Sequence, residues 1–387
     1  MKTCSVGHEN TNDALFCSQC GRPLGSPTRI IEDTSYENLV GQTIGGIYTV
    51  EYLIGQGGMA TVWHARRRVG DVNGYAQEHP AALKVLNRNF VEQNAAVIKM
   101  FIGEAQIISA LQDAHIVPIY DYGQDSKTKL VYIGMRELEG VTLDEEVRKK
   151  KAFLKADGTS SEDPIPLQRA VSIMCQALEA MVRVHEYRPS NPIVHRDLKP
   201  SNLMLTKSGA GKDHIYLLDF GIAQFREATG PDGQTFMATS EKMIMGTYPY
   251  MSPEHWNKQF CPGSDIFCLG VILYELITGR KPFGGDDGED DVTILNNIIH
   301  LPHPPLDLGT LSGLRQNDLE RILAQALAKD PKDRYQSCRE FLTALEKFDL
   351  PPASRQSLRK VFWILALTAG FVGFTALGYY LAESILF

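Results

Sequence analysis

The sequence predicts an α+β fold for its central part, with a short cysteine-bearing unit before it and an apolar helix after it. Three observations support this prediction. Apolar and polar residues alternate, as in strands, on both sides of a glycine-rich loop after Tyr48. Longer segments with helical spacing of apolar residues follow, and an uncharged stretch lies near the end of the sequence. The 387 residues have room for two or three domains, and Pro- and Ser-bearing stretches near 23–35 and 350–357 separate three units.

Composition excludes several classes of protein. Apolar residues make up 43% of the chain and the formal net charge is -7, so fibrous, disordered and strongly basic nucleic-acid-binding proteins are disfavoured. The seven cysteines are too few and too uneven for a disulfide scaffold, which favours a reducing compartment.

The first 25 residues contain four soft ligands for a metal ion: Cys4, His8, Cys17 and Cys20. Three thiolates and an imidazole suit tetrahedral Zn2+, and a segment this short needs a metal to offset its ordering entropy. The run F-C-S-Q-C-G resembles a small zinc ribbon, which implies structural Zn2+ in residues 1–25 and a linker over 26–44. A redox-active C-x-x-C pair or a disordered tail would explain the same residues.

A glycine-rich loop between two strands opens the central unit. Residues Tyr48 to Ile54 alternate like a half-buried strand, and Ala60 to Ala65 can form the returning strand. The loop reads G-Q-G-G from Gly55, and bare backbone amides there can approach a phosphate. A dinucleotide-binding fold is disfavoured, because it would need a helix directly after the loop.

A lysine lies within the next apolar strand. The segment A-L-K-V from Ala82 contains Lys84, and residues Gln93 to Leu111 have helical character with Glu104 among apolar neighbours. We therefore expect an ion pair between Lys84 and Glu104, with the ammonium also able to contact phosphate oxygens.

Three short motifs follow in order. H-R-D-L-K-P-S-N begins at His195, D-F-G begins at Asp219, and S-P-E begins at Ser252. Together with the glycine loop and Lys84, they resemble the motif series of protein kinases. The resemblance covers about residues 45–347 and implies a two-lobed protein kinase fold with ATP in the cleft between the lobes.

The resemblance implies a role for each motif residue. Four residues are assigned to catalysis: Asp197, Lys199, Lys84 and Glu104. Asp197 would orient the substrate hydroxyl and Lys199 would steady the transferred phosphoryl group. Two further residues would hold Mg2+ or Mn2+ through hard oxygen ligands: Asn202 and Asp219.

The resemblance also implies a nucleotide pocket, although simple core packing would explain its apolar members too. Its residues are Gly55, Gly57, Gly58, Val62, Ala82, Lys84, Met135, Glu137, Leu138 and Met204. Val62 and Ala82 would lie above the adenine ring and Met204 below it. Met135 would be the gatekeeper, and the backbone of residues 137–138 would form the hinge.

Two structural contacts are implied as well. Glu254 resembles the glutamate that pairs with a distant arginine, for which Arg334 is the expected partner. Asp265, at the start of the apolar helix Ile266 to Thr278, resembles the residue that braces the catalytic loop.

The motif details are similar to those of bacterial, eukaryotic-like (Hanks-type) serine/threonine protein kinases. Lys199 and the pair Gly246-Thr247 imply that the acceptor is a Ser or Thr hydroxyl of a protein. We expect autophosphorylation in signal transduction at one or more of Thr229, Thr235, Thr239 and Ser240. A homodimer would allow this reaction in trans.

Two other functions stay open. The fold could bind nucleotide or partners without transferring phosphate, as pseudokinase scaffolds do, although these generally lack residues of the Lys84, Asp197 or Asp219 type. The cysteine-bearing unit could instead be a protein-binding module with the kinase as its regulator. Nucleic-acid binding by that unit is disfavoured, because it has no net charge and Phe16 is its one aromatic residue.

A transmembrane helix is predicted at residues 361–382, followed by a short extracytoplasmic tail at 383–387. Val361 to Leu381 are 21 consecutive uncharged residues, about the length that crosses a bilayer. Arg355, Arg359 and Lys360 precede the span in the juxtamembrane linker, 348–360, so the kinase unit is expected on the cytoplasmic side of the cell (inner) membrane as a single-pass protein. The alternative is a buried helix that is apolar on every side.

Two insertions, Arg66 to Pro80 and Ala152 to Pro166, are expected to be solvated loops. The run Arg66-Arg67-Arg68 could contact a membrane or a partner, but a solvated strand end is favoured.

Overall fold

The computed structural model of the protein describes most of the chain between residues 38 and 348. The described residues are 38–72, 75–88, 95–149, 165–209, 211–219, 248–257, 259–286, 289–306 and 313–348, with four two-residue strands at 2–3, 9–10, 228–229 and 235–236. The first two of these strands, β1 (Lys2–Thr3) and β2 (Glu9–Asn10), pair antiparallel with each other.

A six-stranded antiparallel sheet forms the first lobe. Its strands are β3 (Thr43–Ile44), β4 (Tyr48–Gln56), β5 (Ala60–Val72), β6 (Tyr75–Leu86), β7 (Ile119–Gln124) and β8 (Val131–Arg136). They are arranged in the order β3-β4-β5-β6-β8-β7. Helix α1 (Ala95–Leu111) packs against β7 and β8.

Both faces of this sheet are covered in their central part. Successive side chains of a strand point to opposite faces, so Ala82 and Leu83 belong to different clusters. Leu83 packs with Trp63 on the outer face. Ala82 packs with Met135 and with Phe101 of helix α1 on the inner face. The inner face therefore positions apolar residues beside the predicted nucleotide pocket.

Helices form most of the second lobe. They are a helical segment at 143–149, α2 (Leu167–Glu186), α3 (Pro262–Thr278), α4 (Asp291–His300), α5 (Gly313–Ala326) and α6 (Cys338–Lys347). Four short 3-10 helices accompany them at Pro200–Asn202, Tyr248–Tyr250, Pro253–Asn257 and Pro331–Asp333.

A small antiparallel sheet packs against helix α2 of the second lobe. It contains β9 (Gly140–Thr142), β10 (Leu203–Lys207) and β11 (Asp213–Leu217), in the order β11-β10-β9. A further pair of short strands, β12 (Ala228–Thr229) and β13 (Thr235–Phe236), is also antiparallel.

Helix α3 is the central helix of the second lobe. Ser264 to Ile277 are all buried, which agrees with its almost continuous apolar sequence. Pro262 occupies the first turn, where the missing N–H costs no hydrogen bond, and Gly279 ends the helix with φ +74°. The sequence predicted this helix from Ile266, so its first turn was missed.

Residues 137–139 connect the two lobes. Behind this connection, main-chain hydrogen bonds also join them: Val117 N donates to Leu217 O at 3.0 Å, and Leu217 N donates to His115 O at 2.8 Å. The predicted two-lobed α+β architecture is confirmed.

The prediction of a solvated loop from Arg66 to Pro80 is wrong. Strands β5 and β6 continue through this insertion and pair antiparallel, with Arg66 opposite Pro80, Val72 opposite Tyr75, and one shift of register between Arg68 and Gly70. The sequence concealed these strands, because main-chain pairing holds them and their glycines and charged residues form no apolar alternation.

The predicted linker at 26–44 includes residues that belong to the folded unit. Leu39 is 2% exposed and Ile44 is fully buried, and β3 pairs with β4 through Thr43 and Ile44. The apolar residues of a short edge strand were too few to reveal it in the sequence.

Several predictions fall on residues outside the described part of the chain. They are the zinc ligands Cys4, His8, Cys17 and Cys20, the transmembrane helix at 361–382, most of the insertion at 152–166, and the candidate phosphorylation sites Thr239 and Ser240. None of the helices within the described ranges is both long and apolar enough to span a bilayer.

Candidate active site

Strand β6 places Lys84 between two carboxylates. Its Nζ lies 3.5 Å from Glu104 Oε1, on helix α1, and 3.0 Å from Asp219 Oδ1, which follows β11. Burial alone would lower the pKa of Lys84, but the charges of Asp219 and Glu104 outweigh it and hold the pKa above its ordinary value. The ion pair with Glu104 predicted from the sequence is present, and Lys84 also joins the two lobes.

Asp265 supports the backbone of the loop that begins at His195. Its Oδ2 accepts a hydrogen bond from His195 N at 2.8 Å, and its Oδ1 accepts one from Arg196 N at 3.0 Å. Arg196 has φ +71°, a left-handed conformation that non-glycine residues rarely adopt. The fully buried carboxylate therefore holds a strained turn directly before Asp197, as the sequence predicted.

Three polar side chains converge after this turn. Lys199 Nζ lies 3.0 Å from Asp197 Oδ2. Asn202 Nδ2 donates to Asp197 O at 2.8 Å and to Asp197 Oδ2 at 3.1 Å. Asp197 is only 4% exposed. Because Lys199 and Asn202 both contact its carboxylate, the position of that carboxylate is well defined.

Asn202 and Asp219 fit the role of ligands for a hard cation. Because the amide nitrogen of Asn202 is bonded to Asp197, its amide oxygen is the atom that can serve a metal. Proteins usually hold Mg2+ through one or two side chains together with substrate phosphates. Among the described residues, no group of three or more His, Cys, Asp or Glu side chains is arranged as a metal site.

Most apolar residues predicted for the pocket lie together. Val62, Ala82, Met135 and Leu138 share one apolar cluster, and Ala82 lies opposite Met135 in the pairing of β6 with β8. Met204 lies on β10, opposite Thr142, just beyond the connection between the lobes. The arrangement forms the two sides of a cleft.

The glycine loop lies at the end of the same sheet. Gly55 pairs with Val62, and the turn that follows is closed by a hydrogen bond from Gly57 N to Ala60 O at 2.9 Å. Asn87 Nδ2 donates to Gly58 O at 3.1 Å and fixes the loop to the end of β6. The loop is thus attached to the strand that carries Lys84.

Glu254 and Arg334 form the predicted pair in a buried environment. Arg334 donates from Nη1 to Glu254 Oε1 at 2.6 Å and from Nη2 to Glu254 Oε2 at 2.8 Å. Burial would raise the pKa of Glu254, but the hydrogen bonds and charge of Arg334 hold it below its ordinary value.

Two histidines of the site were missed by the sequence interpretation. His185, on helix α2, contacts Asp265 Oδ2 through Nε2 at 2.8 Å. His64 contacts the side chain of Glu137 through Nδ1 at 2.7 Å. The period-2 alternation of β5 could have indicated His64, because it places this residue on the same face as Val62. His185 offered no local signal, since its partner is 80 residues away.

Comparisons with known proteins agree with this geometry. Residues 48–344 match the family model described as "Protein kinase domain". The chain is 34% identical to serine/threonine-protein kinase PrkC of Bacillus subtilis over 308 residues, which are 78% of this chain and 40% of PrkC. It is 31% identical to PknA of Corynebacterium glutamicum over 333 residues, which are 84% of this chain and 62% of PknA.

The chain thus spans 40% to 62% of the length of these two curated relatives. Among solved structures, the crystal structure of the Mycobacterium tuberculosis PknI kinase domain matches with a TM-score of 0.52 and 23% sequence identity. The match covers 81% of this chain and 100% of that chain. At this level of identity, the likeness shows the fold.

Proposed function

Because the chain belongs to the protein kinase family and has its two-lobed fold, we propose that it is an ATP-dependent serine/threonine protein kinase. It transfers the γ-phosphoryl group of ATP to Ser or Thr hydroxyls of protein substrates. The observation that carries this proposal is the ion pair between Lys84 and Asp219, 3.0 Å apart, in a fold whose Asp197 carboxylate is oriented by Asn202.

Each side chain has a definite task in this reaction. Lys84, held by Glu104 and Asp219, presents its ammonium to phosphate oxygens. Asp197 accepts or orients the proton of the acceptor hydroxyl, and Lys199 donates to the transferred group. Asn202 and Asp219 would hold Mg2+, which would supply positive charge to neutralise the phosphates.

The test is phosphate transfer from labelled ATP, with Mg2+, to a generic protein acceptor by the full-length chain. We expect Asp197→Asn to lower the rate by about 10²- to 10⁴-fold, the usual contribution of a positioned base. Asp291→Asn is the matched control, because Asp291 is exposed in the first turn of α4. Wild-type transfer no greater than that of Asp197→Asn would favour the scaffold function.

Autophosphorylation is proposed as the means of regulation. Arg196, next to Asp197, could bind a phosphate through its planar guanidinium. Thr229 and Thr235 lie on the paired strands β12 and β13, within the segment between Asp219 and Glu254. Mass spectrometry of an active enzyme with all four candidate sites unmodified would contradict this.

Structural zinc near the N-terminus is proposed on the ligand chemistry of Cys4, His8, Cys17 and Cys20. In the sequence, β1 ends beside Cys4 and β2 begins beside His8, and these two strands pair antiparallel. Metal analysis of the full-length protein should find about one zinc per chain, and a content near zero would refute the proposal.

Membrane tethering is proposed on the uncharged stretch from Val361 to Leu381 and the positive residues before it. The kinase unit would face the cytoplasm. Fractionation with and without residues 361–382 tests this, and recovery of both forms in the soluble fraction would refute it.

A further inference from the structure

A buried histidine links the predicted nucleotide hinge to the sheet lobe. His64 lies on β5 and is 8% exposed. Its Nδ1 lies 2.7 Å from Glu137 Oε1, and its Nε2 lies 3.2 Å from Glu51 Oε2 on β4. Both ring nitrogens therefore face carboxylate oxygens.

The two contacts differ in kind. Nδ1 and Glu137 Oε1 form a hydrogen bond, in which the carboxylate oxygen accepts and the ring N–H donates. Nε2 and Glu51 Oε2 are within ion-pair distance. The imidazole therefore bridges a hinge side chain and a side chain of β4.

Neighbouring groups hold both the ring and its partner Glu51 in place. Arg66 Nε donates to Glu51 Oε1 at 2.8 Å, so Arg66, Glu51, His64 and Glu137 form a continuous chain of contacts. The ring of Tyr52, on β4, stacks on the imidazole with centroids 4.4 Å apart and planes within 2°. Stacked aromatic rings of this kind add to the stabilisation that burial gives.

His64 also occupies a position from which it can affect the nucleotide. It lies opposite Ala82 in the pairing of β5 with β6, and Ala82 in turn lies opposite Met135. Glu137 begins the connection between the lobes. Fixing the Glu137 side chain limits the motion of the adjacent backbone, which is the part of the hinge that would bond the adenine.

We propose that His64 is a positioning residue for nucleotide binding: it ties the hinge at Glu137 to strand β4 at Glu51. The inference rests on the proposed kinase function, since it assigns His64 to the nucleotide pocket of that enzyme.

The test measures binding of a fluorescent probe, trinitrophenyl-ATP, with Mg2+ to the full-length chain. His64→Phe keeps a ring to stack on Tyr52 but removes both ring nitrogens, and should weaken binding about three- to tenfold, the scale of a lost charge-assisted hydrogen bond.

Two further variants make the result specific. Glu51→Gln sits at a site where the side chain is 38% exposed, so the fold should tolerate it, and its amide can pair with a neutral imidazole. It should therefore retain most of the affinity, because the hydrogen bond between His64 and Glu137 is left in place. His79→Phe is the matched control, because His79 is an exposed histidine of the same sheet, opposite Arg67.

A second readout needs no nucleotide. Amide hydrogen exchange of the peptide 131–142 in the ligand-free protein should be faster in His64→Phe than in His79→Phe. Equal exchange, or equal probe binding by His64→Phe and wild type, would overturn the assignment of His64. Absence of probe binding by the wild type would instead overturn the kinase function, and hydrogen exchange would still decide the role of His64.

Discussion

At the scale of single residues, the fully buried carboxylate of Asp265 organises the catalytic loop. Burial would raise its pKa, but hydrogen bonds and charge from His185, together with the backbone N–H of His195, hold the pKa below its ordinary value. The ionised carboxylate offers enough acceptor sites for His195 N, Arg196 N and His185 at once. The left-handed Arg196 is thus maintained by one side chain from helix α3.

His185 makes this arrangement sensitive to pH. Burial lowers its pKa, but the neighbouring Cys338 sulfur and the Asp265 carboxylate outweigh burial and raise the pKa to about 10. Since an unfolded histidine titrates near 6.5, the folded state keeps the proton longer than the unfolded state does. The stabilisation is complete below about pH 6.5, declines as the pH rises, and is lost above about pH 10.

We therefore expect the free energy of unfolding to fall between pH 7 and 9.5, with a His185 contribution of at most about 1.4 kcal/mol per pH unit. Urea denaturation across this range measures the slope. His185→Gln is the control, because its amide can still donate to Asp265 but does not titrate. Equal slopes in the two proteins would show that His185 is not the source.

At the scale of elements, one arginine joins four segments of the second lobe. Besides Glu254, Arg334 donates from Nε to Ala328 O at 2.7 Å, from Nη1 to Gly263 O at 2.8 Å and from Nη2 to Lys329 O at 3.0 Å. Its guanidinium also lies 4.9 Å from the centre of the Phe267 ring. A buried cation with this many partners cannot be removed without leaving several acceptors unsatisfied.

Arg334→Ala should lower the free energy of unfolding by about 3 to 5 kcal/mol, because it leaves Glu254 as an uncompensated buried charge. Arg339→Ala is a close control. Arg339 also makes two hydrogen bonds to one carboxylate, that of Glu186, but the two side chains are 60% and 51% exposed. Its loss should cost much less free energy of unfolding than the loss of Arg334, because exposed ion pairs contribute little to stability. Denaturant titration of both variants measures the two losses of unfolding free energy. Equal losses would contradict the conclusion that burial makes the Arg334–Glu254 pair the more important one.

Local patterns predicted the elements that bear the site, and the order of the motifs predicted its long-range pairs. Alternation indicated β4, and an isolated lysine in an apolar strand indicated the Lys84–Glu104 pair. Two features were not accessible in this way. His64 contacts residues 13 and 73 positions away, a juxtaposition that only the folded sheet creates. The insertion at 66–80 contains charged residues and two glycines, a composition typical of loops.

At the scale of the whole molecule, the two lobes meet along a cleft that contains the pair Lys84 and Asp219, with main-chain hydrogen bonds between residues 115–117 and Leu217 behind it. The hairpin at 66–80 lies apart from this arrangement. The pairing of β5 with β4 extends to Arg67, and the pairing of β6 with β8 extends to Ala81. Between these points, β5 and β6 pair with each other in a two-stranded ribbon, in which residues 68–70 and 77–80 are exposed.

This placement predicts that the ribbon is dispensable for folding. Replacing residues 69–77 with an Asn-Gly turn keeps Arg68 opposite Glu78, and keeps the hydrogen bond from Arg68 N to Ile47 O. The free energy of unfolding should change by less than about 1 kcal/mol, and phosphate transfer should be retained.

The shortened ribbon is best compared with a substitution that adds one methyl group in the centre of the same sheet. A Cβ on Gly134 would collide with Tyr48 Oη, whose hydrogen bond to Asp121 is 2.6 Å long. Gly134→Ala should therefore cost about 1 to 3 kcal/mol through overpacking, more than replacement of residues 69–77 in the ribbon. Denaturation of both variants measures the difference. If the shortened protein were the less stable of the two, the ribbon would contribute to the core of the first lobe and could not be a separate projection from it.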